Sequence, residues 1–362
     1  MSYFLLDDYA NMEPYLPGEQ PEGKWIKLNA NESALPPSPA VRKILNEAEY
    51  EGMGFYSDPH CHKLRQAIGE VYGFDEKNVF VGNGADEVLA FCMMSFFRKG
   101  MKIAFPDITY DFYRTYATTY NLDFTQFPLN DDFTINVDDY VDYDGDVILA
   151  NPNNPTGIAI SVSEIERIVK KNPERMVIID EAYVDYGNES CIPLVRKYDN
   201  LLVVQTFSKS RNMAGARIGF AIANKDMITD MNKIKFAFNP FNMSSLAIEA
   251  GAAAARDVDY WQKCIHQVCD VRDAFEKDLK KLGFDVINTT TNFTFITHPH
   301  FSATYLFKEL KKRHILVRHY DTPRINNYLR ITIGSFDVML KVLYAIKEIV
   351  GESYESPDQW LS

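Results

Sequence analysis

The feature that most constrains this chain is a rhythm in its middle: short apolar runs that stop abruptly in clusters of small or polar residues. Val79-Phe80-Val81 runs into Gly82-Asn83-Gly84-Ala85-Asp86-Glu87, and Lys102-Ile103-Ala104-Phe105 stops at Pro106. Val147-Ile148-Leu149 leads into Asn151-Pro152-Asn153-Asn154-Pro155-Thr156-Gly157. Met176-Val177-Ile178-Ile179 ends in Asp180-Glu181, and Leu201 to Phe207 ends in Ser208-Lys209. Amphipathic stretches lie between the runs. Strands that are apolar throughout are buried on both faces, so the pattern predicts an α/β fold with a mostly parallel, helix-covered sheet. Sheets of this kind bind ligands beyond the carboxyl ends of their strands. Polar clusters at four such ends therefore predict one shared site.

The last third reads differently. Residues 246–282 form a long helical pattern, followed by a strand at 292–297 and a helix at 304–313. Strands at 315–318 and 328–333 precede a final amphipathic helix at 336–350. This predicts a large domain at 46–245 and a smaller α+β domain built from 1–45 and 246–362, since chain termini often meet at a surface. The tail after Gly351 is polar and reads as loose.

With 362 residues the chain can bury ample core without a disulfide or metal staple. The five cysteines (Cys61, Cys92, Cys191, Cys264 and Cys269) form no C-x-x-C pair, which fits reduced thiols. The N-terminus turns acidic at Asp7-Asp8 before the apolar core of a signal peptide could form. No apolar run approaches the ~18–20 residues of a membrane span. A cytoplasmic protein without a membrane partner is expected. Acidic residues outnumber basic ones, 50 to 38, for a net charge of −12. That field repels nucleic acid, and an anionic ligand would have to be held by local arginines and backbone N–H groups.

Lys209, taken alone, reads as a lysine snorkelling from a strand end. Its other reading is an amine that captures a carbonyl as a Schiff base. Arg217 opens another strand eight residues on, so a cation can return to the same edge. Ser208, Arg217 and the Gly84-Ala85-Asp86 turn supply hydroxyl, guanidinium and free N–H donors, a set suited to phosphate. Asp180 could resemble the magnesium carboxylate of an ATPase, but the sequence holds no G-x-x-x-x-G-K-[ST] loop. A buried carboxylate opposite a ring nitrogen is the better account. Asn154 sits in a string that would make a turn anywhere. Asp58 with His60-Cys61-His62 tempts a metal reading, which is rejected because adjacent strand residues point to opposite faces and no second ligand cluster is evident.

Together the Asn151–Gly157 string, Asp180-Glu181-Ala182-Tyr183, Ser208-Lys209, Arg217 and Arg330-Ile331-Thr332-Ile333-Gly334 resemble the fold-type-I pyridoxal-phosphate aminotransferases of class I/II. Within that family the nearest branch is the histidinol-phosphate aminotransferases, through Pro14 to Pro21 and Leu28-Asn29-Ala30-Asn31-Glu32. The resemblance implies pyridoxal 5′-phosphate as cofactor, with Lys209 as the covalent lysine and Asp180 as partner of the ring nitrogen. It implies that Asn154 and Tyr183 hydrogen-bond the ring hydroxyl oxygen and that Tyr110 stacks on the ring. Ala85 and Asp86 backbone N–H groups, Ser208 and Arg217 would hold the phosphate. Tyr56 would reach the phosphate of a neighbouring subunit, so a homodimer with shared sites is implied. Arg330 would grip the substrate anion, with Arg318, Tyr15 and Asn31 nearby. The small-molecule partners would be an amine and an oxo acid, glutamate and 2-oxoglutarate.

Three positions depart from the pattern: Ser57 in Tyr56-Ser57-Asp58-Pro59, Met213 before Ala214-Gly215, and Ile108 before Thr109-Tyr110. None removes a group with a chemical role. Aromatic amino-acid aminotransferases and phosphothreonine decarboxylases share the cofactor residues, so the substrate rests on Arg318, Arg330 and the N-terminal segment. A regulator that merely binds the cofactor would have no use for Lys209 and Asp180 together.

Overall fold

The computed structural model describes residues 4–5, 9, 18–47 and 54–351. Its first strand, β1 (Ile26–Lys27), pairs only with a strand from the far end of the chain. The next seven form the main sheet: β2 (Val79–Gly82), β3 (Lys102–Pro106), β4 (Asp123–Phe127), β5 (Asp146–Ala150), β6 (Val177–Asp180), β7 (Leu201–Thr206) and β8 (Gly219–Ile222). Their order is β2-β8-β7-β6-β5-β3-β4. All pairings are parallel except those of β8, which runs antiparallel to β2 and β7. The expected mostly parallel, helix-covered sheet is what forms.

The reason lies in the alternation of each strand. Val147, Leu149, Val177, Ile179, Leu201 and Val203 belong to one buried cluster. Ile148, Ile178, Leu202 and Val204, the residues between them, belong to another. Each such side chain contributes about 1.5–3 kcal/mol by leaving water, so polar residues gather at the strand ends instead. The flanking helices carry their own start signals. Ser161 and Glu164 form a reciprocal capping box that opens the helix Val162–Lys171.

The antiparallel run of β8 positions the site. A strand that enters where β7 leaves brings Arg217 to the edge that carries Lys209. Gly219 lets β8 pass the start of the helix Ala85–Phe96, since a Cβ there would lie 2.3 Å from the Ala85 nitrogen.

The smaller domain contains β9 (Asp285–Ile287), β10 (Phe293–Thr297), β11 (Ile315–Leu316), β12 (Arg318–His319) and β13 (Leu329–Thr332). Its antiparallel sheet runs β12-β13-β10-β9, while β11 pairs in parallel with β1. The helices Val258–Lys281, Ala303–Lys312 and Phe336–Val350 bury Phe275, Leu306 and Val342 in one core with Phe293 and Ile331. The 315–318 stretch is thus two strands in different sheets.

The helical stretch at 246–282 is also two elements, Ser245–Arg256 and Val258–Lys281, separated at Asp257. The first packs Ile248, Ala252 and Ala255 against Leu64 and Ile68 of the helix His62–Tyr72, inside the large-domain core. Val41 of the helix Pro39–Glu47 joins the same cluster. The helices Ser245–Arg256 and Pro39–Glu47 thus pack with the main sheet. Small residues allow that packing. A Cβ on Gly251 would lie 2.8 Å from an Ile218 methyl, so the helix seats closely on the large domain.

Candidate active site

A cavity of about 390 Å³ opens at the carboxyl edge of the main sheet, and side chains of both domains line it. Lys209, Asp180, Tyr183, Asn154, Tyr110, Ala85, Asp86, Ser208 and Arg217 reach it from the large domain. Arg318 and Arg330 reach it from the smaller one, and Asn31 from the segment after β1. Two other expected residues do not line it among the described residues. Tyr15 lies outside the described residues, and Tyr56 is 83% exposed, stacked on Phe241 with centroids 4.5 Å apart.

Lys209 follows β7, and its Nζ donates to the Asn31 carbonyl at 2.9 Å. Burial, then repulsion from Arg330, lowers its pKa from 10.5 to about 8. Asp180 closes β6. Tyr113 donates to its Oδ2 at 2.8 Å and the Ala182 N–H to its Oδ1 at 3.1 Å. Burial raises its pKa to about 6, and those two donors oppose the rise, leaving mainly carboxylate at neutral pH. Asn31 Nδ2 donates to the Tyr183 hydroxyl at 2.9 Å, while Thr332 Oγ1 donates to Asn31 Oδ1 at 3.1 Å. Asn31 therefore ties the N-terminal segment to both domains.

The three asparagines of the 151–157 string divide their work. Asn151 bonds both backbone groups of Ile160, and Asn153 bonds the Ile108 carbonyl and Thr109. Asn154 faces the cavity and accepts from Arg330 Nη1 at 2.6 Å. Arg330 Nη2 donates to the Asn29 carbonyl at 2.9 Å, while the buried Nε has no partner among the described residues. At the opposite end Arg217 Nη2 lies 3.5 Å from Asp86 Oδ2, and Tyr110 donates to Asp86 Oδ1 at 2.9 Å. The first N–H groups of the helix Ala85–Phe96 have no intrahelical acceptor and open beside Arg217.

This is a cleft with an anion cradle at one end, an amine and a carboxylate in the middle, and guanidinium groups at the other. The chain belongs to the aminotransferase class I and II family, whose model matches residues 23–346. That family works with pyridoxal 5′-phosphate. Over 352 residues the chain is 45% identical to the histidinol-phosphate aminotransferase of Brachyspira hyodysenteriae, covering 97% of this chain and 99% of that one. It is 44% identical to the histidinol-phosphate aminotransferase of Clostridium acetobutylicum over 97% and 100% of the two chains. The crystal structure of histidinol-phosphate aminotransferase from Sinorhizobium meliloti in complex with pyridoxal-5′-phosphate superposes with a TM-score of 0.82. It covers 90% of each chain at 23% identity.

The residues present suit that cofactor. Free helix N–H groups, Ser208 and Arg217 could take a phosphate, and glycine at 84 and 219 keeps the cradle open. A Cβ on Gly84 would strike the Arg217 guanidinium at 2.4 Å. Asp180 offers an anion for a ring nitrogen, and Lys209 offers an amine poised near neutrality.

Two tyrosines missing from the sequence expectation stand out. Tyr113 holds Asp180. Tyr320 lines the cavity with Arg318 and Arg330 guanidinium carbons 5.4 and 5.9 Å from its ring centroid. Its signal was the spacing from Arg318, because residues i and i+2 of an extended segment share a face. Asp58 accepts from the His60 and His62 N–H groups at 2.9 and 2.8 Å and from His62 Nδ1. These bonds close the turn into the helix His62–Tyr72.

Proposed function

We propose that the chain is a cytoplasmic homodimeric aminotransferase that moves the amino group of histidinol phosphate to 2-oxoglutarate. The observation that carries the substrate reading is the pair Arg318 and Arg330 at the far end of the cavity, with the buried Arg330 Nε unpaired among the described residues. A guanidinium fork pairs with phosphate or carboxylate alike, as an enzyme alternating between a phosphorylated amine and glutamate requires. The names of the relatives at 44–45% identity support the same substrate.

Bound pyridoxal phosphate would supply an electron sink for the pair left when the substrate Cα loses a proton. Lys209 would hold the cofactor covalently, and its Nζ is the base that would take the substrate Cα proton. Its lowered pKa keeps a useful fraction of the amine neutral near pH 8. Asp180, its carboxylate oriented by Tyr113, would keep a proton on the ring nitrogen through its negative charge. Asn154 and Tyr183 would bond the ring hydroxyl oxygen, and Tyr110 would cover the ring. The Ala85 and Asp86 N–H groups, Ser208 and Arg217 would hold the phosphate. Asn31 keeps Tyr183 in place, and Arg330 and Arg318 orient the substrate anion. Tyr56 stacks on Phe241, and both rings are exposed, as is the neighbouring Phe55, which supports a role across a dimer interface.

A steady-state assay with 2-oxoglutarate and a panel of amines tests the reading. Histidinol phosphate should exceed phenylalanine in kcat/KM by at least ~100-fold, from two charged hydrogen bonds of ~1.5–3 kcal/mol each. Equal efficiency would favour an aromatic aminotransferase. Carbon dioxide released from phosphothreonine would favour a decarboxylase.

A further inference from the structure

Gln205 interrupts the apolar run of β7, and its side chain leaves the strand on the face opposite to that of Thr206, which lines the cavity. There it belongs to a continuous chain of hydrogen bonds. Arg211 Nη2 donates to the Tyr72 hydroxyl at 2.8 Å, and Tyr72 donates to Gln205 Oε1 at 2.6 Å. Gln205 Nε2 donates to Glu181 Oε2 at 2.8 Å. A guanidinium only donates, so Tyr72 accepts from Arg211 and gives its own hydrogen to Gln205. Glu181 also accepts from the Ser190 hydroxyl and the Cys191 N–H, both at 2.5 Å.

Arg211 also starts a second branch. Arg211 Nη1 pairs with Asp185, and Ser210 donates to the same carboxylate at 2.6 Å. Glu181, Gln205, Ser210 and Arg211 are all buried. Glu181 directly follows Asp180, Asp185 lies two residues after Tyr183, and Ser210-Arg211 directly follow Lys209. One largely buried network thus joins the backbone that carries Asp180 and Tyr183 to the backbone that carries Lys209.

We propose that Tyr72, Gln205 and Arg211 are positioning residues that hold Lys209 in register with Asp180, an inference that rests on the roles given to those two residues above. Tyr72→Phe leaves Gln205 Oε1 and an Arg211 N–H unpaired inside the protein. A buried network left half satisfied relaxes by moving its members, and the shortest path of relaxation runs through residues 210–211 into Lys209.

The test uses holoenzyme carrying Tyr72→Phe, Gln205→Met or both. Each single variant should lower kcat about tenfold, with KM for the amine within about twofold, because misalignment acts on the reacting geometry. The pH midpoint of the visible absorption of bound cofactor, which reports the surroundings of Lys209, should move by about half a unit or more. The double variant should lose no more than the worse single variant, since both cut one chain. Multiplicative losses, or a lowered Tm with unchanged kcat and midpoint, would overturn the positioning role. Borohydride reduction separates this from failure of the underlying reading. Cofactor fixed to another lysine would sink both, whereas Lys209 labelled and Tyr72→Phe silent would sink the positioning role alone.

Discussion

Replacing Arg330 by lysine keeps the charge and removes the fork, and the structure sets the expected loss. Arg330 Nη1 holds Asn154 at 2.6 Å and Nη2 holds the Asn29 carbonyl at 2.9 Å, while Nε is unpaired among the described residues. The guanidinium therefore serves two protein acceptors and still offers N–H groups to a ligand. One ammonium on an unbranched stem cannot reach Asn154, Asn29 and a substrate anion in those three directions. Each charge-assisted bond lost is worth about 1.5–3 kcal/mol, or roughly 10- to 100-fold in kcat/KM. Losing two should cost at least about 100-fold. Single-turnover measurement of the amine and oxo-acid half-reactions, each in excess of substrate, reads the two losses separately. Both halves should suffer, because the same fork receives phosphate in one and carboxylate in the other. A loss under about fivefold, or one confined to a single half-reaction, would refute the shared fork.

Borohydride reduction of holoenzyme should fix cofactor mass on the peptide carrying Lys209, and Lys209→Ala should lose nearly all turnover; labelling elsewhere would reject the assignment. Asp180→Asn should slow both half-reactions by orders of magnitude, several kcal/mol in the barrier, in a protein whose circular dichroism is unchanged. Near-normal rates would show that the ring nitrogen needs no anion there. Tyr56→Phe mixed with Lys209→Ala should recover activity beyond the average of the parents, because a heterodimer then holds one site with neither defect. No recovery on reassembly would place Tyr56 in its own subunit's site.

The strand ends were readable because continuous apolar runs leave polar residues few places to go, and the site collects where β2, β5, β6 and β7 stop. What stayed hidden depends on contacts distant in sequence. Tyr113 is one of 21 tyrosines, and nothing near it in the chain marks its bond to Asp180, 67 residues away. The bond between Asn31 and Tyr183 spans 152 positions. The break between helices at Asp257 was hidden for a different reason. The helical pattern continues across it, and only three-dimensional packing shows that the alanine-rich half belongs with the main sheet. Gln205 lies between these cases. A polar residue inside a strand whose every member is buried must find a partner, since burying an amide without a hydrogen bond costs about 1–3 kcal/mol. The sequence thus announces that a partner for Gln205 exists without saying which one. Glu181, Tyr72 and Arg211 supply the answer from three separate segments, and their convergence gives the Lys209 strand a support that no local motif encodes.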